Sequence, residues 1–469
     1  MSTLVMKFGG TSVGSADAIN KTAAIVLEHA PKWDRIAVVV SAMSGVTNAL
    51  VKGAETAACG DDKTYLDLHH DLKQKHIQAI DSLISSDSEK EALGKAINEI
   101  LDEFSILCHS VFILGEVTNR ALDTITSLGE RISAQIVAAV LRQKGAKSEA
   151  VKSTELVVTD DNFQNAMPIM DATNHKVNVN LVPLLNDGVI AVVTGFMGAT
   201  RNGITTTLGR GASDYIASIL GLALKADEVW IWTDVDGVMT AAPNIVPDAK
   251  IIHELTYSEV GELAYFGAKV LHPQTIRPVV EGGIPLCVKN TFNPTCPGTK
   301  IVAEPSGKNG AVKAVTSIKN LSMITVEGRG MMGVPGIAAR TFAAVSRQNA
   351  NVLMISQASS EQSISFFIPS NKVNSVVKSL QDEFSVEIQR RDIDRIVSLD
   401  NVVIVSAVGA GMRGTPGVAA RIFQALGESN INVVAIAQGS SECSISLVVM
   451  DEQSDDAVRQ IHQKVIMKK

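Results

Sequence analysis

The chain has 469 residues, of which 46% are apolar and only 4% aromatic, and it carries a formal charge of −7. At ~150 residues per domain, that length predicts two to four domains with cores of Val, Ile, Leu and Ala. The acidic balance, without a Lys/Arg run or basic–aromatic interleaving, argues against a nucleic-acid partner. No apolar run approaches the roughly 18 residues needed to span a bilayer. Five scattered cysteines (Cys59, Cys108, Cys287, Cys296 and Cys443) lack CxxC or Cys/His metal spacing and read as free thiols in a reducing compartment. The chain opens directly on a strand-like segment with no signal peptide ahead of it, so the expectation is a soluble cytoplasmic protein with no membrane partner.

Strand-like runs alternate with helical stretches through the first 300 residues. Residues 3–8 form the first run, followed by Gly9 and Gly10 and a helix over 16–27; a Val-rich strand at 36–40 ends at Ser41. Residues 60–115 are polar and helical in period; they hold His69, His70 and His76, expected on a solvated helical face because no carboxylate spacing completes a metal motif. The alternation resumes at 126–141 and continues through 189–193, 216–224 and 229–232. Continuous apolar strands between helices predict a mostly parallel sheet covered on both faces, with ligands at the carboxyl ends of the strands. A linker composition, AEPSGKNGA at 303–311, predicts a domain boundary.

Beyond it the chain repeats itself. Residues 328–368 align without a gap on 409–449, 81 positions on, with 22 of 41 positions identical. Duplication at that level marks a repeated structural module. Each copy reads strand, Gly-rich turn, helix, strand, strand. The first continues with a helix over 372–382 and a strand over 386–389, completing a βαββαβ unit. The second has its helix at 454–464 but no final strand, and residues 311–318 are expected to fill that open edge.

Candidate chemistry sits in the strand-end loops. Lys7 precedes Gly9 and Gly10 at a helix start, an arrangement that suits a phosphate but equally a plain strand-to-helix turn. The loop SAMSGVTN at 41–48 is rich in hydroxyls. In TLGRGASD, at 207–214, Gly209 and Gly211 flank Arg210, whose guanidinium suits a carboxylate, while Ser213 and Asp214 have N-cap character. Glu130, just inside a helix, could receive an ammonium or be an ordinary first-turn acid. Thr233 and Asp234 follow a strand and offer polar anchors to a nucleotide, and Lys269 could be a second phosphate lysine. Taken in this order on one α/β body, these groups point to phosphoryl transfer onto an amino-acid carboxylate.

KFGGTSV at 7–13, VVVSAMSGVTN at 38–48, SLGER at 127–131, TTLGRGASDY at 206–215, WTDVDG at 232–237 and ELAYFGAKVLHP at 262–273 resemble aspartate kinase, and the repeats resemble its paired ACT domains. The resemblance implies the amino-acid kinase αβα sandwich with a mostly parallel central sheet, plus two ferredoxin-like βαββαβ ACT domains. The expected division is a catalytic domain over 1–303 and a regulatory region over 304–469. Within the latter, one ACT is contiguous at 319–391, and a second is formed by 311–318 plus 400–469. The implied reaction transfers the γ-phosphoryl of ATP, with Mg2+, to the β-carboxylate of aspartate, the entry to lysine, threonine and methionine synthesis. Carried over by motif, Lys7 would stabilise the phosphoryl and Asp214 would hold Lys7. Arg210 would grip the α-carboxylate and Glu130 the α-ammonium. Ser41, Thr47 and Ser213 would line the aspartate pocket, and Gly9, Gly10, Thr233, Asp234 and Lys269 would serve the nucleotide.

One segment departs from the pattern: relatives carry a tyrosine and TTDPR where this chain reads MTAAPN at 239–244, which puts nucleotide affinity or base preference in question. The repeats resemble the ACT pair of threonine-sensitive enzymes, some fused to homoserine dehydrogenase. With no GxGxxG fingerprint following, that fusion is not expected here. An effector, threonine ahead of lysine, would sit beside the turn 331–336, with Met331, Gly333, Gly336 and Gln357 around it. ACT pairing across subunits implies a homo-oligomer. The alternatives are a kinase of this fold with another carboxylate acceptor, or a catalytically silent amino-acid sensor.

Overall fold

A computed structural model describes the chain except residues 269, 270, 272, 305–311, 333, 358–361, 440, 468 and 469. Lys269, Gly333 and most of the expected linker therefore lie outside the described residues. Two compact units result. The first comprises Met1–Val238, Ile251–Tyr257 and Val270–Glu304; the second comprises Met239–Lys250, Ser258–Lys269 and Pro305–Lys469.

The first unit is built on an eight-stranded sheet. Its strands in chain order are β1 (Thr3–Phe8), β2 (Arg35–Val40), β3 (Ser148–Val151), β5 (Ile190–Thr194), β8 (Glu228–Thr233), β9 (Glu254–Thr256), β10 (Leu286–Asn290) and β11 (Thr299–Val302). A small second sheet takes β4 (Val158–Thr159), β6 (Met197–Thr200) and β7 (Thr205–Thr207). The large sheet runs β3-β5-β2-β1-β8-β10-β11-β9, and every pairing is parallel except β10 with β11. All six residues of β1 are buried, as expected of a strand covered on both faces. Register aligns the carboxyl ends: Phe8 lies beside Val40 and Trp232, and Val40 beside Thr194. Four strands thus deliver their loops to one edge.

Helices α1 (Ala16–His29), α2 (Val46–Ala58), α3 (Asp62–Leu83), α4 (Asp87–Leu114), α5 (Asn119–Thr126), α6 (Leu128–Gln143), α7 (Met170–Asn180), α8 (Val182–Asn186) and α9 (Ala212–Leu224) follow these strands. The polar stretch 60–115 is the α3–α4 pair. His76 departs from its expected solvated face: it is fully buried, its Nδ1 lies 2.6 Å from the Leu72 carbonyl, and burial lowers its pKa to about 4. Helical period alone does not say which side of a long helix another helix will cover.

In the second unit, β12 (Ala314–Glu327), β13 (Met354–Gln357), β14 (Ser363–Pro369), β15 (Arg395–Val408), β16 (Ala435–Gln438) and β17 (Ser444–Met450) form one sheet, ordered β13-β14-β12-β15-β17-β16. The two 14-residue strands each serve both copies: residues 321–327 of β12 pair with β14, while 314–318 pair with 404–408 of β15. The handover is a register shift between Ile318 and Leu321, where Asn320 takes φ +62°; its repeat equivalent in β15, Asn401, takes φ +56°. Asn tolerates this left-handed conformation better than most side chains. Residues 386–389, expected as a strand, instead lie in the helix Ser385–Arg390, and the strand beside the first copy is the start of β15. Arg340 bonds Glu387 in this helix and Glu383 at the end of the preceding helix Val373–Glu383, so one guanidinium fastens both.

Candidate active site

Lys7 points from β1 toward the carboxyl edge and is only 9% exposed. Its Nζ lies 2.6 Å from Asp214 Oδ1. Asp214 stands in the first turn of α9, whose N-cap is Gly211 at φ +74° with no side-chain cap. Ser213 and Asp214 therefore do not cap the helix. Glycine takes the left-handed cap position, and both side chains are left to line the cavity beside it.

That cavity holds about 370 Å3 and is bordered by Lys7, Gly10, Ser41, Thr47, Glu130, Arg210, Ser213 and Asp214, together with Asn48 and Phe196. It thus gathers eight residues expected from separate motifs. Arg210 is exposed, and no carboxylate partner is found for its guanidinium among the described residues. Glu130 is only 3% exposed. Its Oε1 accepts the Ala42 N–H at 3.0 Å, its Oε2 has no partner, and burial pushes its pKa up to about 8. A carboxyl in that state is poised to receive a cation, since an incoming positive charge would repay its desolvation.

The loops are held by close backbone approaches. A Cβ on Gly195 would meet Ser213 Oγ at 2.6 Å, and one on Gly129 would meet Ala42 Cβ at 2.7 Å. Gly9, Thr233 and Asp234 do not border the cavity. They lie beside it in the chain order of the sheet: Gly9 N–H donates to the Trp232 carbonyl at 3.1 Å, and Thr233 Oγ1 donates to Asp234 at 3.1 Å. Lys75 was missed from sequence. Its ammonium, on α3, donates to the Ser44 carbonyl, and Ser44 Oγ donates to the Gly10 carbonyl at 3.0 Å. No local pattern announces a contact made across 31 residues. Asn48 and Phe196 carried no expectation either, although Asn48 closes the SAMSGVTN motif.

In the second unit, Met331, Gly336 and Gln357 border a separate cavity of about 370 Å3 with Val334, Pro335 and Ile364. The segment that departs from the family pattern is also built into this unit. Ala241, Ile245 and Val246 are buried with Val312, Val315 and Met412, and Thr240 Oγ1 lies 2.8 Å from His462 Nε2.

The amino acid kinase family matches residues 2–290, and the ACT domain matches residues 324–384 and 405–465. This chain belongs to the amino acid kinase family. Across 99% of its length it is 37% identical to the chloroplastic bifunctional aspartokinase/homoserine dehydrogenase 2 of Arabidopsis thaliana, of which it covers 50%. It thus spans about half the length of that relative. It is 34% identical to chloroplastic aspartokinase 3 of the same plant, over 98% of this chain and 81% of that one. Among solved structures, Escherichia coli aspartokinase III in complex with aspartate and ADP matches with a TM-score of 0.82 at 28% identity, over 99% of this chain and 100% of that one. This amino acid kinase therefore has aspartokinases as its sequence relatives and structural neighbours, and no helix among its described residues is long and apolar enough to cross a membrane.

Proposed function

We propose that this chain is an aspartate kinase that transfers the γ-phosphoryl of ATP to the β-carboxylate of L-aspartate, giving 4-phospho-L-aspartate and ADP. The observation that carries the reading is the cavity in which the Lys7–Asp214 pair, the unpartnered Arg210 guanidinium and the half-satisfied Glu130 carboxyl face one another. An amino-dicarboxylate matches that set: Arg210 takes the α-carboxylate, Glu130 the α-ammonium, and Ser41, Thr47 and Ser213 complete the wall. The β-carboxylate is already ionised, so no base is needed. A carboxylate oxygen bonds to the γ-phosphorus as the bond to the bridging oxygen of ADP breaks. Lys7 neutralises the phosphoryl in transit, and Asp214 keeps its ammonium aimed. Gly9 and Gly10, with Thr233 and Asp234 at the end of β8 and Lys269 beyond the described residues, serve the nucleotide.

Mg2+ would neutralise the phosphate oxygens. It keeps several waters and needs only one or two protein carboxylates besides substrate phosphates, which fits a site where no group of three or more His, Cys, Asp or Glu gathers among the described residues. The exposed Asp234 carboxylate is the protein oxygen this donor set offers, because Asp214 is engaged by Lys7.

Residues 1–303 then form the catalytic domain and 304–469 the regulatory region, with one ACT at 319–391 and a second formed by 311–318 and 400–469. The protein is a homo-oligomer joined through these ACT domains. Ile355 and Ile436, equivalent in the two copies and both half-exposed, support that contact. The cavity at Met331, Gly336 and Gln357 takes an end-product amino acid, threonine ahead of lysine. The E. coli aspartokinase III structure in its T-state contains lysine and aspartate, which supports the effector class. The test is acyl-phosphate formation from MgATP and aspartate, trapped with hydroxylamine, with and without threonine. Hydroxamate that falls with threonine supports both halves of the proposal, and hydroxamate indifferent to threonine moves the effector to lysine. No hydroxamate removes the aspartate kinase reading.

A further inference from the structure

Asp123 on α5 is 0% exposed and has no ion-pair partner among the described residues; four donors satisfy it, two from Gln164 and two from Thr207 at the end of β7. Its Oδ2 accepts the backbone N–H of Thr207 and of Gln164, each at 3.0 Å. Its Oδ1 accepts Thr207 Oγ1 at 2.5 Å and the Gln164 side-chain amide. Gln164 holds a left-handed φ of +71°, a conformation a β-carbon disfavours, so this carboxylate secures a turn that would otherwise relax. That turn in turn braces the next loop: Ala166 N–H donates to the Thr207 carbonyl at 2.9 Å, and Asn165 Oδ1 sits where a Cβ on Gly209 would come within 2.8 Å.

Chain connectivity gives this web its consequence. Thr207 ends β7, and only Leu208 and Gly209 separate it from Arg210. In the other direction α5 runs through Ser127, itself in helical conformation, into α6 and Glu130. One buried carboxylate therefore ties the loop that carries the carboxylate-gripping residue to the helix that carries the ammonium-gripping residue. We infer that Asp123 is a positioning residue for substrate selection, setting the separation of Arg210 and Glu130 without touching the substrate. The inference rests on the aspartate kinase reading for the identity of that substrate.

Two variants test it in the full-length protein. Asp123→Asn keeps the shape but turns an amide toward one set of donors. Thr207→Val removes only the hydroxyl contact and keeps the backbone bond, so it stands in if the first variant does not fold. Each is expected to raise the aspartate KM roughly tenfold or more while the ATP KM stays within about twofold. In an Arg210→Ala background, Asp123→Asn should add less than about twofold, because it acts through a group already gone. Equal rises in both KM values, or full additivity with Arg210→Ala, overturn the inference. If the unaltered protein makes no hydroxamate from aspartate, the substrate reading fails by itself. Amide exchange over residues 207–211 then decides: faster exchange in Asp123→Asn supports the tie, and unchanged exchange removes it.

Discussion

Glu130 makes the sharpest prediction at the scale of one residue. Its carboxyl, raised to about 8 by burial, is mostly neutral at pH 7, yet pairing with a substrate ammonium requires it ionised. Binding must therefore expel a proton below pH 8, and the aspartate KM should fall by up to ~10-fold per pH unit between pH 6.5 and 8, then level off. Glu130→Gln should flatten that profile, and a flat profile in the unaltered protein would remove Glu130 from the ammonium site. Folding responds in the opposite direction to binding: the folded pKa lies above the unfolded one, so the stability this group contributes is fully present at low pH and is lost as pH rises toward 8. Arg210→Ala removes charge-assisted bonds to one substrate only. With such bonds worth roughly 1.5–3 kcal/mol, the aspartate KM should rise on the order of 10- to 100-fold with the ATP KM little changed. Steady-state kinetics with each substrate varied in turn checks this; a parallel rise in both values contradicts the assignment.

Among elements, the approach of α6 to the 41–48 loop matters most to the site. Gly129 permits it, since a Cβ there would lie 2.7 Å from Ala42 Cβ and 3.2 Å from Val46 Cγ1. Gly129→Ala should cost about 1–3 kcal/mol of stability by overpacking and should lower kcat/KM for aspartate, because Glu130 sits one residue on. Urea unfolding alongside kinetics reads both effects; an unchanged midpoint would mean the loop yields freely. Legibility varied with the kind of signal at this scale. Strands buried on both faces, such as β2 and β8, were evident as apolar runs. Residues 386–389 were not, because four alternating residues fit one helical turn as well as a short strand, and their contact with Arg340, 47 positions from Glu387, is invisible to a local pattern. The 239–250 segment is a second case. Its lost aromatic, acid and base were plain in the sequence, whereas its burial within the second unit is a packing outcome.

For the molecule as a whole, the duplication extends beyond residue identity to backbone conformation. Gly336 and Gly417 take φ of +93° and +82°, and Asn349 and Asn430 take +49° and +52°. Both copies thus keep the left-handed turn that opens a helix N-terminus, a natural place for an anionic group. Under the proposed regulation, Gln357→Ala should raise the threonine concentration for half-inhibition about three- to tenfold, the worth of one hydrogen bond. Inhibition curves on the two proteins measure it, and an unchanged curve argues that the effector lies elsewhere. Coupling of this kind requires the effector to bind two kinase states unequally, so threonine should also bind more weakly, by the same factor, to whichever substrate complex it opposes.

By itself, the sequence determined the α/β character of the first 300 residues, the repeat and the motif loops, because each rests on local composition and spacing that the chain carries wherever it folds. Only the tertiary structure decided that Lys7 meets Asp214 and that Glu130 is buried with one oxygen unpaired. The same holds for Asp123 joining the turn at Gln164 to the end of β7. Those facts depend on which distant segments pack together, and burial and partnership are properties of the packed whole.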